Sequence, residues 1–320
     1  MFTKMIVEQY KKSAYGRCDH PGDVFYFTAA DFPGLQAKPY RFMATAGHTL
    51  KGYLYSYDRP IPGRLVVFDH GMGAGHTAYT KEIEMLCRRG YTVLAYDHTG
   101  CMESGGEGTN GMAQSLCDLN DCINAIKQDG RFDGYDISVV GHSWGGFSTL
   151  NISALHPEIS HVVVFSGFVS VELLIESYFG GILKGCRKHI MALEREHNPE
   201  FVQYNAVETL KNSKTKALLI YSDDDKLCKK TPHYDALQAG LAGCENVELM
   251  LVSGKGHNPN YTADAVIYKD AFFAELQKRR KKNKMTTPVQ KAAFVACYDW
   301  HRMTAQDEQV WNAVYRALEK

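Results

Sequence analysis

The sequence carries no excess of charge: Lys plus Arg and Asp plus Glu each number 36 in 320 residues. A main partner of nucleic acid is thereby disfavoured, because such binders usually carry a basic surplus. No apolar run approaches the roughly 18–20 residues of a membrane span. The opening stretch, Met1 to Glu8, turns charged too early for the apolar core of a secretory signal. There are nine cysteines but no Cys-x-x-Cys pair, which removes finger- and ribbon-type zinc sites and the thioredoxin motif. Their odd number and apolar neighbours read as reduced thiols, and the expected setting is cytoplasmic. Internal repeats and low-complexity tracts are missing too.

What is present is an ordinary globular composition, 45% hydrophobic and 22% charged. A chain of this length buries a sizeable core without disulfide or metal staples. The first 60 residues read as short strands with aromatic alternation: Val24–Thr28, Arg41–Ala46 and Leu50–Tyr57. From residue 64 continuous apolar strands alternate with amphipathic helices. The strands are Leu65–Phe68, Thr92–Tyr96, Ile137–Val140, Val162–Phe165, Ala217–Tyr221 and Val247–Val252; helical patterns include Thr77–Arg89 and Met112–Lys127. This rhythm predicts an α/β fold, a mostly parallel central sheet covered by helices on both faces. It lapses between 167 and 212. The expected organisation is a core over 1–166 and 213–282, a cap inserted at 167–212 and a helical extension at 283–320. Thr287-Pro288-Val289-Gln290 and Thr304-Ala305-Gln306-Asp307 each read as an N-cap, so two helices are expected in the extension.

The chemistry starts at Gly141-His142-Ser143-Trp144-Gly145-Gly146, between the strand ending at Val140 and a helix. In G-x-S-x-G a sharp strand-to-helix turn lifts the Ser hydroxyl above the sheet, and small flanking residues let backbones approach. The Trp144 N–H then stands where an oxyanion develops. A Ser hydroxyl needs a base to take its proton. Of thirteen histidines, His257 in Gly254-Lys255-Gly256-His257 lies directly after the last strand, where function gathers in such sheets. His142, next to Ser143, is expected to point away from it. His70 and His76 are expected to be structural or pocket-lining. The base needs a carboxylate to orient it. Asp223-Asp224-Asp225 follows the strand Ala217–Tyr221, with Asp225 the first choice and Asp224 the reserve. The loop Asp69-His70-Gly71-Met72-Gly73-Ala74-Gly75 offers the Met72 N–H as second oxyanion donor. It lacks both G-x-G-x-x-G and the Walker pattern, and nothing here calls for a metal or cofactor.

Residues 64 to 280 resemble the α/β-hydrolase superfamily, serine hydrolase branch. His70-Gly71-Met72-Gly73 resembles the HGxG loop of monoacylglycerol lipases and serine aminopeptidase-like members. Tyr96 to Gly105 is similar to their D-x-x-G-x-G-x-S-G loop, with Cys101-Met102 where a second glycine is more usual. The elbow is also similar to those of dienelactone-hydrolase-like members. The order Ser143, Asp225, His257 matches the superfamily's chain order. The resemblance implies a fold and a triad; the substrate stays open, since one scaffold serves many chemistries.

The cap crowds Phe168, Leu174, Ile175, Tyr178 and Phe179 into a short span. Leu174, Tyr178 and Phe179 are the expected substrate-binding residues of an apolar acyl site, unless the face serves only to pack the cap. The expected activity is cleavage of a small-molecule carboxylic ester of small or medium acyl chain. A peptidase or amidase is the alternative, with Glu172, Glu176 or Glu194 anchoring an amine; a catalytically silent binding protein is a third reading. The extension is expected to pack on its own chain or to serve a homodimer contact.

Overall fold

The computed structural model describes residues 2–319. Its sheet has eight strands: β1 (Gln36–Met43), β2 (Thr49–Ser56), β3 (Arg64–Asp69), β4 (Thr92–Tyr96), β5 (Asp136–His142), β6 (His161–Phe165), β7 (Lys216–Ser222) and β8 (Val247–Val252). They lie in the order β1-β2-β4-β3-β5-β6-β7-β8. β2 runs antiparallel to both neighbours, and every pairing from β4–β3 through β7–β8 is parallel. The helices are α1 (Phe2–Ala14), α2 (Thr80–Arg88), α3 (Gln114–Gln128), α4 (Trp144–Asn151), α5 (Val171–Tyr178), α6 (Arg187–His197), α7 (Ala206–Lys211), α8 (Asp235–Gly240), α9 (Ala263–Lys281), α10 (Pro288–Val295), α11 (Trp300–Met303) and α12 (Glu308–Glu319). None is long and apolar enough to cross a membrane.

Two cores explain why the parallel strands are apolar throughout. Successive side chains of a strand point to opposite faces. Leu65 and Val67 join Leu116, Leu119, Phe147 and Leu150 of α3 and α4 on one face. Val66 and Phe68 join Ile83 and Leu86 of α2, and Val310, Trp311, Val314 and Leu318 of α12, on the other. Both faces are covered, so neither set of positions tolerates polarity. Residues 167–212 hold α5, α6 and α7. Glu194 of α6 accepts from Tyr10 Oη at 2.6 Å, Tyr15 Oη at 2.9 Å and Met112 N at 2.8 Å, which ties α1 to this segment.

Three local expectations need correction. Val24–Thr28 forms no strand and pairs with none. Its aromatic alternation instead serves ring packing, with Phe25 against Trp300 and Phe27 against His301 at centroid distances of 5.8 and 4.7 Å. Phe2–Ala14, read as leading into strands, is a helix. Thr287 does cap α10 in a capping box with Gln290, but Thr304 closes the single turn α11 through the Trp300 carbonyl. The cap of α12 is Asp307, whose Oδ1 accepts from Gln309 N at 2.8 Å. The extension therefore has three helical pieces. It packs on its own chain: Trp311 is 1% exposed and lies 6.0 Å from the Phe165 ring. Burying one such side chain stabilises by about 1.5–3 kcal/mol.

Candidate active site

β5 ends at the elbow. Ser143 has φ 57° and ψ −110°, a strained conformation for a residue with a side chain, and it turns the chain directly into α4. The spacing of the glycines follows from close approach. A Cβ on Gly141 would meet Thr149 Oγ1 at 2.1 Å, and one on Gly145 would meet the Asp69 carbonyl at 2.1 Å. Gly71 is as tightly placed, since its Cβ would stand 2.6 Å from Tyr79 Oη and 3.3 Å from Ser143 Cβ. The loop after β3 is thus pressed against the serine.

Three side chains from three loops form one line. His257 Nε2 is 2.8 Å from Ser143 Oγ. His257 Nδ1 is 2.8 Å from Asp225 Oδ2. Asp225 Oδ1 accepts from Leu227 N at 2.8 Å and Cys228 N at 3.1 Å. Burial alone would raise the Asp225 pKa, but the hydrogen bond and charge of His257, with the Leu227 amide, hold it below the usual carboxylate range. The ambiguity of three adjacent acids resolves by geometry. Asp224 Oδ1 accepts from Ser222 Oγ and Gly256 N, each at 2.7 Å, and Asp223 Oδ1 accepts from Gly254 N at 3.0 Å. These two acids stitch together the loops that carry Asp225 and His257.

Met72 follows Gly71, which is pressed against Ser143, and Trp144 follows Ser143 at the start of α4. Gly71 N–H donates to Tyr79 Oη at 3.1 Å and Gly145 N–H to the His70 carbonyl at 3.1 Å. The Met72 and Trp144 N–H groups find no protein acceptor among the described residues. Trp144 is held from its far end, with Nε1 donating to the Met112 carbonyl at 2.8 Å.

His142 does not stand apart. Its Nε2–H donates to the His257 carbonyl at 2.7 Å, and Nδ1 accepts from Tyr79 Oη at 2.8 Å. Its ring packs 4.8 Å from the His257 ring. Burial, then the neighbouring His257, push its pKa down to about 3, so it is neutral and its tautomer is set by these two bonds. One chain of contacts thus runs from Gly71 through Tyr79 and His142 to His257. No local signal in the sequence points to Tyr79, which lies 63 residues before His142.

Beneath the loop lies a buried charge cluster that also went unread. His98 Nε2 is 3.0 Å from Asp69 Oδ1, and Nδ1 is 3.2 Å from Asp118 Oδ2, all without solvent exposure. Burial would lower the His98 pKa, but the two carboxylates overcome it and push it up to about 10. The imidazolium lies 4.7 Å from the Trp144 ring, a favourable arrangement for a cation over an indole. His70, by contrast, is held near 3 by burial and by the charge of His98. His76 is buried against Asp97 at 2.7 Å and Tyr55 at 3.0 Å.

Of the expected substrate residues, Leu174 is buried in the main core, and Phe179 packs edge-on to Tyr10 at 6.1 Å. Tyr178 is half exposed and donates to the Leu227 carbonyl at 3.1 Å, beside the Asp225 loop. Glu194 is fully engaged as described above, Glu176 pairs with Arg187 at 3.2 Å, and Glu172 is exposed. Among the described residues no group of three His, Cys, Asp or Glu side chains is arranged to hold a metal ion.

A family model described as serine aminopeptidase, S33, matches residues 60–203. An esterase of Pyrococcus furiosus aligns over 81% of this chain and 96% of its own, with TM-score 0.59 and 20% identity. The chain has the α/β-hydrolase fold. A similar fold is seen in a puromycin-hydrolysing peptidase of Mycobacterium tuberculosis, with TM-score 0.53 and 15% identity, covering 70% of this chain and 36% of that one. A 2-hydroxy-6-oxo-6-(2'-aminophenyl)hexa-2,4-dienoic acid hydrolase of Metapseudomonas resinovorans is 31% identical over 118 residues, 36% of this chain and 38% of that protein. The chain thus spans well under half the length of that curated relative.

Proposed function

We propose that this α/β-hydrolase is a serine hydrolase that cleaves a small-molecule carboxylic ester, of small or medium acyl chain, through an acyl-enzyme. The reading rests above all on the unbroken line from Asp225 to His257 to Ser143, with both contacts at 2.8 Å. Ser143 Oγ attacks the carbonyl as His257 Nε2 takes its proton. Asp225 keeps the Nδ1–H of His257 in place and stabilises the imidazolium that forms. The Met72 and Trp144 N–H groups receive the oxyanion, which is typically the largest electrostatic contribution in such sites. His257 then gives its proton to the leaving alkoxide, and water repeats the sequence to release the acid. No metal or cofactor enters these steps. Tyr178, bonded to the Leu227 carbonyl beside the Asp225 loop, is the candidate for contact with the acyl chain. The setting we infer is cytoplasmic, with neither nucleic acid nor a second copy of the chain required.

An amidase reading has two supports: the description of the matched family model and the peptidase among the structural neighbours. Against it stand the three cap acids considered as amine anchors. Glu194 and Glu176 have other partners, and Glu172 faces solvent. The two readings separate in one screen of the purified protein, p-nitrophenyl esters from acetate to octanoate against aminoacyl anilides. Ester turnover far above anilide turnover supports the proposal; the reverse overturns it.

A further inference from the structure

All nine cysteines are free thiols, and two of them face each other. Cys18 and Cys101 form a single-residue parallel β-bridge. Cys18 N donates to the Gly100 carbonyl at 2.9 Å, and Met102 N donates to the Cys18 carbonyl at 3.1 Å. Strands so paired run about 4.8 Å apart, inside the Cα separation of about 4.4–6.8 Å that a disulfide spans. Cys101 has no exposed surface and Cys18 is partly exposed. The segment before the bridge is anchored to the same loop, with Arg17 Nη2 donating to the Met102 carbonyl at 2.9 Å and Thr109 Oγ1 to the Ala14 carbonyl at 2.7 Å.

The segment that carries Cys101 also touches the loop after β3: a Cβ on Gly75 would meet Met102 Cγ at 2.4 Å, and Met102 follows Cys101 directly. The neighbouring Cys101 thiol draws the Cys18 pKa down to about 7 against the effect of burial, while the pairing and burial raise that of Cys101. The accessible thiol is therefore the one that ionises first.

We propose that Cys18 and Cys101 are a dithiol site for a hydroperoxide, which joins them in a reversible disulfide that acts on the loop after β3 through Met102 and Gly75. The Cys18 thiolate attacks the outer peroxide oxygen, the O–O bond breaks, and the alkoxide leaves with a proton from water. Cys18 is then a sulfenic acid. Cys101 sulfur attacks it, the S–O bond breaks, and the hydroxide leaves with the Cys101 proton as water. Two thiols and one hydroperoxide give one disulfide, one alcohol and one water. The disulfide shifts the Cys101–Met102 segment, whose Met102 side chain packs against Gly75, so the loop must rearrange. This site goes beyond the proposed hydrolysis; only its effect on turnover rests on that reading.

The test treats the full chain with hydrogen peroxide, then maps peptides without reductant. A Cys18–Cys101 cross-link that dithiothreitol removes is the expected result, with ester turnover falling in step and recovering on reduction. In Cys101→Ser a sulfenic acid on Cys18 is trapped by dimedone and no cross-link forms. Turnover of Cys18→Ser is insensitive to the same treatment. Recovery of Cys18 and Cys101 as free thiols while exposed Cys297 oxidises would overturn the site. A cross-link that leaves turnover unchanged would overturn its action on the loop. If the reduced protein turns over no ester at all, the hydrolytic reading fails, and the peptide map still decides the dithiol.

Discussion

Lys255, two residues before His257, is ion-paired with Asp307 at the start of α12. The same junction carries Asp307 N to the Asn260 carbonyl at 2.8 Å, Thr262 N to the Ala305 carbonyl at 2.9 Å and Asn260 Nδ2 to Gln306 Oε1 at 2.8 Å. The C-terminal extension is thus fastened to the loop that holds the proposed base. Asp307→Ala strands the Lys255 ammonium and removes the α12 cap, and should cost about 2 kcal/mol of stability. Denaturant titration measures this. Turnover should fall with it, because the His257 loop loses an anchor. Unchanged stability and turnover would show the junction to be idle.

Asp225→Asn should lower kcat by roughly ten-thousandfold, because the amide favours the wrong tautomer of the base. Asp224→Asn should cost far less, since its carboxylate holds Ser222 and Gly256 rather than His257. Steady-state kinetics on a p-nitrophenyl ester compares them. A larger loss in Asp224→Asn would reverse the assignment.

Tyr79→Phe removes the hydroxyl shared by Gly71 N–H and His142 Nδ1. Leaving a buried group unpaired costs about 1–3 kcal/mol, so kcat should drop roughly tenfold, a barrier change of about 1.4 kcal/mol. KM should hardly move, because Tyr79 positions the His257 backbone and the loop after β3 rather than substrate. A rise in KM with kcat preserved would place Tyr79 in substrate binding instead.

His98 predicts a pH dependence of stability. Its folded pKa is raised from 6.5 to about 10, so its contribution is complete below about pH 6.5 and is lost as pH climbs through 10. The melting temperature should decline across that window. His98→Gln should be less stable by about 3–5 kcal/mol at neutral pH, as for other broken buried pairs, and should show a flatter profile. A wild-type melting temperature that stays level from pH 6.5 to 10 would contradict a charged His98.

The parallel core was legible because each strand buries both faces and so reads as an unbroken apolar run, as in Val66-Val67-Phe68. Ser143 was legible because its strain is met by a local glycine pattern. Asp225 was harder: in a turn, alternation does not say which acid points inward, and the selection comes from His257 and the Leu227 amide. Tyr79 and His98 were illegible, because His142 lies 63 residues from Tyr79, Asp118 lies 20 from His98, and no spacing announces either pair. Val24–Thr28 misled because an aromatic alternation that packs on Trp300 and His301 looks like one that packs in a sheet. Thr304 misled because Thr304 and Asp307 are both good caps, and only Asp307 N–H has the Asn260 carbonyl to meet.

The central claim is that Ser143 becomes acylated. The direct measurement is the intact mass of the protein mixed rapidly with a p-nitrophenyl ester and quenched in acid, followed by peptide mapping. The account predicts an added acyl group on the peptide holding Ser143, accumulating in a burst of p-nitrophenol, and no adduct in Ser143→Ala. Turnover of the ester by Ser143→Ala at the wild-type rate, or an acyl group carried on another residue, would contradict it.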